Sequence, residues 1–146
     1  MGTNMRHAFD ALVGHWNTTG DNVPAGDDAA ILIRGMDKYE WLPGRKFLVH
    51  HVDVWMGAEK VNVIEVVGPC GDALTAIPMN SFDNNGNHTV MYASQESSNV
   101  WLFFNDDLRT RLTIHESGSS MTARWERKGD GDRWVHWLNM HFSKTT

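Results

Sequence analysis

The sequence predicts an all-β fold: a closed, up-and-down antiparallel barrel of about ten strands behind a short N-terminal helix, with residues 1–146 forming one domain. Three observations predict it. Helical periodicity occurs once, where Met5, Phe9, Leu12 and Val13 share a face. From Trp16 onward, apolar and polar residues alternate in short runs, the period of a half-buried strand. Between the runs lie brief connectors rich in Gly, Asn, Asp and Pro, so successive strands join as hairpins, and closing such a series removes its exposed edges.

Taken in order, strands are expected over 14–20, 29–39, 45–56, 60–67, 72–79, 87–95, 99–104, 109–116, 120–128 and 132–143. Asp21 to Asp28 (DNVPAGDD) is polar and interrupted by Pro24, which makes it a loop placed to cover a barrel mouth. Asn85-Gly86 and Asp130-Gly131 supply the positive backbone angles that tight hairpins need. No internal repeat is present.

Composition narrows the function classes. Seven Trp, six Phe and eight Met in 146 residues suit the lining of an adaptable pocket as well as a dry core. A net charge of −5, with no cluster of Lys or Arg, lacks the footprint of a nucleic-acid binder. Cys70 is the only cysteine, so no intrachain disulfide forms. The first residues lack the apolar centre of a signal peptide, and no apolar run approaches the length of a membrane span; the expectation is a cytoplasmic protein that engages no membrane.

Strand alternation nominates the inward side chains. In the last strand, Trp134, His136, Leu138, Met140 and Phe142 form the apolar face, which turns His136 inward and His141 outward unless a bulge resets the register. In the third, Leu48, His50, Val52, Val54 and Met56 share a face; His50 is read as inward because Asp53 opposite prefers water. Val61, Val63, Glu65 and Val67 go together, as do Val90 with Tyr92, and Met121 with Ala123 and Trp125. Arg109 and Arg111 fall opposite Leu112 and Ile114. Glu65 is thus a candidate buried carboxylate. Left without a partner it would stay neutral and donate a proton beside His136 or Tyr92; the alternative is a structural pairing with Arg111 or His50. Trp16 is expected to plug the closed end, Trp41 to sit at the rim of the mouth, and Trp101, Trp125 and Trp134 to line the cavity or join the core.

The opening Gly14-His15-Trp16-Asn17-Thr18-Thr19-Gly20 followed by Pro24 resembles the first strand of calycin-type, lipocalin-like barrels. With Tyr39-Glu40-Trp41-Leu42-Pro43-Gly44, Ser81-Phe82-Asp83-Asn84-Asn85-Gly86 and Arg124-Trp125-Glu126, it is similar to the small bacterial lipocalin-like family of unknown function called DUF1579, and more weakly to the haem-binding nitrobindins. The first resemblance implies a barrel that binds a small hydrophobic molecule and carries over no catalytic residue. The second implies a haem iron held by a late-strand histidine, here His136 or His141.

The leading expectation is therefore a barrel binding a small hydrophobic or aromatic molecule, with His50, Tyr92, Arg111, Trp125, His136 and Met140 lining the site. The alternative is an acid–base enzyme of isomerase or cyclase type in the same cavity, with Glu65 and His136 as candidate proton-transfer groups. No cofactor is expected, haem through His136 being the one exception weighed. No metal site is expected either: His51-Val52-Asp53 puts two ligand types on one face without a third. Neither a Gly-x-Ser-x-Gly elbow nor a phosphate-cradling glycine loop occurs, and Cys70 sits in a turn with no neighbouring base. The partner expected is a small hydrophobic ligand, and self-association as a homodimer stays open.

Overall fold

Period-two alternation becomes ten strands in the computed structural model, which describes residues 7–24 and 29–145. They are β1 (Gly14–Asn22), β2 (Leu32–Trp41), β3 (Leu48–Met56), β4 (Glu59–Val67), β5 (Ile77–Asp83), β6 (His88–Ser97), β7 (Val100–Phe104), β8 (Leu108–Ile114), β9 (Ser120–Lys128) and β10 (Trp134–Lys144). Each strand pairs antiparallel with its sequence neighbours, and β1 pairs with β10 to close the barrel. Closure gives every strand two partners, so no edge is left as a template for aggregation.

The N-terminal helix is shorter than its periodicity suggests. Only a 3-10 turn, Ala8–Leu12, forms, and Met5 lies outside the described residues. Because Gly14 already belongs to β1, little more than one turn separates His7 from the sheet, a length suited to a 3-10 segment. His7 and Asp10 cap it reciprocally, and it buries Phe9 and Leu12. The fifth strand also differs, running over Ile77–Asp83 rather than 72–79. Its register on β4 is Val67 opposite Met79 and Val63 opposite Asp83, while the preceding residues cross the barrel end and bury Cys70. β2 starts late because Asn22 holds the incoming chain, bonding to Ala29 O and Ile31 N. Of the expected mouth loop, Asp21 and Asn22 extend β1, and residues 25–28 are outside the described set.

Two glycines are required by geometry. Gly86, at φ 82°, closes the β5–β6 hairpin, where Asp83 accepts from the Asn85 and Asn87 amides. At Gly35 a Cβ would collide with Asp53 O and the Val54 backbone, so β2 and β3 approach this closely only with glycine there.

The barrel has two unlike ends. Where β1 begins and β2 ends, Trp16 and Trp101 are fully buried together with Phe9, Leu12, Leu48 and Met121. Trp16 Nε1 donates to Leu12 O at 2.8 Å, and the Phe9 and Trp101 rings stack at 4.2 Å, which seals this end. Trp16 is therefore the plug, as expected, and Trp101 belongs to it rather than to the cavity. Trp41 is at this closed end too, not at the mouth: its Nε1 donates to Asp10 Oδ1 at 2.7 Å and Arg45 lies over its ring. Among the described residues, no helix is long and apolar enough to cross a membrane.

Candidate functional site

Beyond the plug, the barrel interior holds a cavity of about 370 Å³, within the range of small-molecule pockets. Its walls differ in chemistry. On the β2–β6 side, Tyr39, His50, Glu65, Ser81 and Thr89 occupy directly opposed register positions, forming one polar row across five strands, with Asp37 one pleat away. On the β7–β10 side the lining includes Phe103, Leu112, Ala123, Trp125, Leu138 and Met140. Opposed residues on one face stand about 5 Å apart at Cβ, close enough for side chains to bond along the row.

The polar row is organised around His50. Its Nε2 lies 2.6 Å from Asp37 Oδ2 and its Nδ1 3.0 Å from Glu65 Oε1, while Thr18 Oγ1 donates to Asp37 Oδ1 at 2.5 Å. The Tyr39 ring stacks on the imidazole, centroids 3.9 Å apart and planes 7° from parallel. All three ionisable side chains are largely buried, at 12%, 6% and 13% exposure for His50, Asp37 and Glu65. Burial pushes the His50 pKa down, but hydrogen bonds to Asp37 and Glu65, and the charges of both, outweigh it and raise it to about 9. His50 is consequently an imidazolium at neutral pH, donating from both nitrogens. Burial, and then the charges of Asp37 and Glu65, push the Tyr39 pKa well above 10, so its hydroxyl keeps its proton.

This bonding decides which groups face a ligand. Both Asp37 oxygens and both His50 nitrogens are occupied. Only one Glu65 oxygen is used, and among the described residues neither Glu65 Oε2 nor the Tyr39 hydroxyl has a hydrogen-bond partner. On the polar row the cavity thus offers a carboxylate acceptor and a phenolic donor, and the lining also holds the Thr89 hydroxyl and the Trp125 and Trp137 indoles. With no lone pair free, His50 is neither a base nor a metal ligand in this state, and among the described residues no set of three His, Cys, Asp or Glu side chains is arranged to hold a metal.

Four of the anticipated site residues reach the cavity: His50, Glu65, Trp125 and Met140. Glu65 pairs with His50, one of the two structural partners weighed for it, and not with Arg111. Three anticipated residues do not reach it. Tyr92 shares its face with Val90, as read, but that face is the outer one, because Met91 and Ala93 fill the interior; Tyr92 is 40% exposed beside Phe104. Arg111 lies outside, opposite the buried Leu112, and pairs with Glu96. His136 is displaced by a bulge. Pairing of β10 with β9 steps from His136–Glu126 to Leu138–Trp125, so Trp137 is an extra residue. Trp137 and Leu138 both line the cavity, and the alternation before them is reversed. His136 then faces out, its Nε2 2.8 Å from Asn139 Oδ1, and Trp134 lies under Arg109 on the surface.

Neither late-strand histidine weighed as a haem ligand, His136 or His141, is among the cavity lining, and His50 inside it has both nitrogens hydrogen-bonded. Sequence reasoning missed Asp37, Tyr39, Thr18 and Trp137. Ile33, Gly35, Asp37 and Tyr39 share the inward phase of β2, so the signal that nominated Glu65, a carboxylate in an apolar phase, was present for Asp37 as well.

No protein-family profile matches the chain, and no curated protein matches it in sequence. Solved structures do match in fold. Superposed on Rv2717c from M. tuberculosis, 98% of this chain and 100% of that one align with a TM-score of 0.67 at 11% identity. The S-type phycobiliprotein lyase CPES from Guillardia theta matches with a TM-score of 0.63 at 10% identity, covering 94% of this chain and 90% of that one. At such identities the likeness is one of fold: a lipocalin-like, ten-strand, calycin-type barrel.

Proposed function

We propose that this protein binds a small, largely apolar molecule inside its barrel. The observation that carries the reading is the asymmetric interior: aromatic residues seal one end, while the other half keeps a cavity of about 370 Å³ with an apolar wall and a short polar row. Apolar burial at roughly 25 cal/mol per Å² supplies the affinity, and Glu65 with Tyr39 fixes the orientation. A neighbour in fold named a phycobiliprotein lyase supports a small-molecule role, and the Gly14-x-Trp16 plug supports a relation to the DUF1579-like barrels. A cytoplasmic location is part of this proposal.

A second reading, acid–base catalysis in the same cavity, is favoured by the free Glu65 oxygen on the polar row that also carries the Tyr39 hydroxyl; His136 is not among the lining residues. The experiment uses N-phenyl-1-naphthylamine, a neutral apolar fluorophore. Saturable, one-to-one enhancement is expected with the wild type and is lost in Val63→Trp, which fills the cavity from β4 at a cost of about 1–3 kcal/mol in stability. Equal binding by that variant, still folded by circular dichroism, would place the probe elsewhere and defeat the reading. Catalysis is separated from binding by molecules captured from cell extract: Glu65→Gln slows conversion by about 10²-fold or more only if Glu65 moves a proton.

A further inference from the structure

The ionisable groups facing the cavity are distributed very unevenly. β2 contributes Asp37 and Tyr39, β3 contributes His50, β4 contributes Glu65 and the end of β5 contributes Asp83, while β6 to β10 contribute none to the lining. No Lys or Arg is among the lining residues. At the mouth, Arg127 is stacked over the Trp137 ring at 5.1 Å. Asp83 is occupied with its hairpin, accepting from the Asn85 and Asn87 amides, although its charge remains at the cavity edge. On the polar wall itself two carboxylates face one imidazolium, so the wall carries one net negative charge. The unpartnered acceptor there is Glu65 Oε2, on a carboxylate only 13% exposed, where Coulomb interactions are stronger than in bulk water.

Resting on the reading that this cavity binds a small molecule, we propose that the ligand is an apolar organic cation, with an amine head seated on the Asp37–His50–Glu65 wall and an aliphatic or aromatic body against β7–β10. An ammonium group satisfies Glu65 Oε2 by a charge-assisted hydrogen bond and neutralises the wall. The opposite lining suits the body: Trp125, Trp137 and Phe103 supply aromatic apolar surface, and Met140 adapts to an irregular shape. A fatty acid meets the reverse situation. Its carboxylate would be buried against a negative wall with the Tyr39 hydroxyl as donor, no Lys or Arg in the lining, and the His50 imidazolium already bonded to both carboxylates.

The test compares octylamine, octanol and octanoate as competitors of N-phenyl-1-naphthylamine on the wild-type protein at pH 7. Octylamine is expected to bind at least roughly tenfold more tightly than octanol, and octanoate more weakly than either, the order set by the net charge of the wall. Glu65→Gln is expected to shrink the amine preference by about tenfold while octanol binding holds. Octanoate competing as well as octylamine would overturn the proposal and leave the binding reading standing. Failure of the fluorophore and all three competitors to bind would defeat the binding reading, and this inference with it.

Discussion

The closed end and the open half of the barrel use the same ten strands and treat their interiors in opposite ways. At the closed end, inward positions carry bulk: Trp16, Trp101, Phe9, Leu12, Leu48 and Met121 are each no more than 1% exposed, and the one polar need of Trp16 is met by Leu12 O. In the open half, inward positions of β2, β3 and β4 carry Asp37, Tyr39, His50 and Glu65. Large apolar side chains interdigitate until the space is gone. A charged row instead holds its members at fixed hydrogen-bonding positions and leaves room opposite them. One end is thus sealed by volume, the other kept apart by charge, and substitutions at the two ends should fail for different reasons.

The largest effect is expected at the plug. Trp16→Ala removes a wholly buried indole that a rigid surround cannot replace, and should cost about 3–5 kcal/mol in urea-induced unfolding. Met140→Ala, made in a wall that already borders open space, should cost less than about 2 kcal/mol because little new cavity is created. Equal losses for the two would break the comparison, since the open half would then be packed as tightly as the plug.

The polar row is next in size, and pH exposes it. His50 has a folded pKa of about 9, above its unfolded value near 6.5, so its contribution to stability is complete below pH 6.5 and disappears as pH rises through 9. Over that window the wild type should lose on the order of 3 kcal/mol, measured as urea unfolding at successive pH values. His50→Leu removes the cation between Asp37 and Glu65 and leaves two buried carboxylates facing each other. The variant should be destabilised by about 3 kcal/mol at pH 7, should lack the wild-type loss of stability between pH 6.5 and 9, and should regain stability on further acidification, where His50 adds nothing more to the wild type. A variant with the wild-type slope would show that some other group titrates in this window.

These outcomes bear on what was legible from sequence. Barrel class, strand number and the inward phase of β3, β4 and β9 follow from alternation, because a strand buried on one face writes its register into the chain. That is why alternation alone nominates His50, Glu65 and Trp125, which do line the cavity. The His50–Asp37 bond was not legible, because it joins neighbouring strands whose register depends on the β2–β3 connection. His136 was misplaced for a related reason. A bulge is a mismatch between two strands, and nothing within Trp134–Lys144 marks Trp137 as the extra residue until β9 is laid beside it. The 3-10 turn illustrates a further limit: Phe9 and Leu12 show helical spacing, but the distance to β1 decides which helix forms.

The smallest effects are expected on the outer face, which holds three residues that the sequence reading assigns to the cavity. Arg111 and Glu96 form an ion pair with 53% and 39% of their side chains exposed, a setting in which solvent screening leaves about 0–1 kcal/mol. Arg111→Ala should therefore fall within about 1 kcal/mol of wild type, and added salt should narrow even that difference. Tyr92→Ala removes a ring already in contact with water, and His136→Ala loses a bond to the half-buried Asn139. All three variants should bind N-phenyl-1-naphthylamine with wild-type affinity, because none lines the cavity, whereas Glu65→Gln changes the order of amine and alcohol binding from within it. The sharpest member of the set is His136→Ala. If it alone weakened probe binding, His136 would have to face inward in solution, the bulge at Trp137 would have to lie elsewhere in β10, and the division between a charged wall on β2–β4 and an apolar wall on β7–β10 would no longer hold.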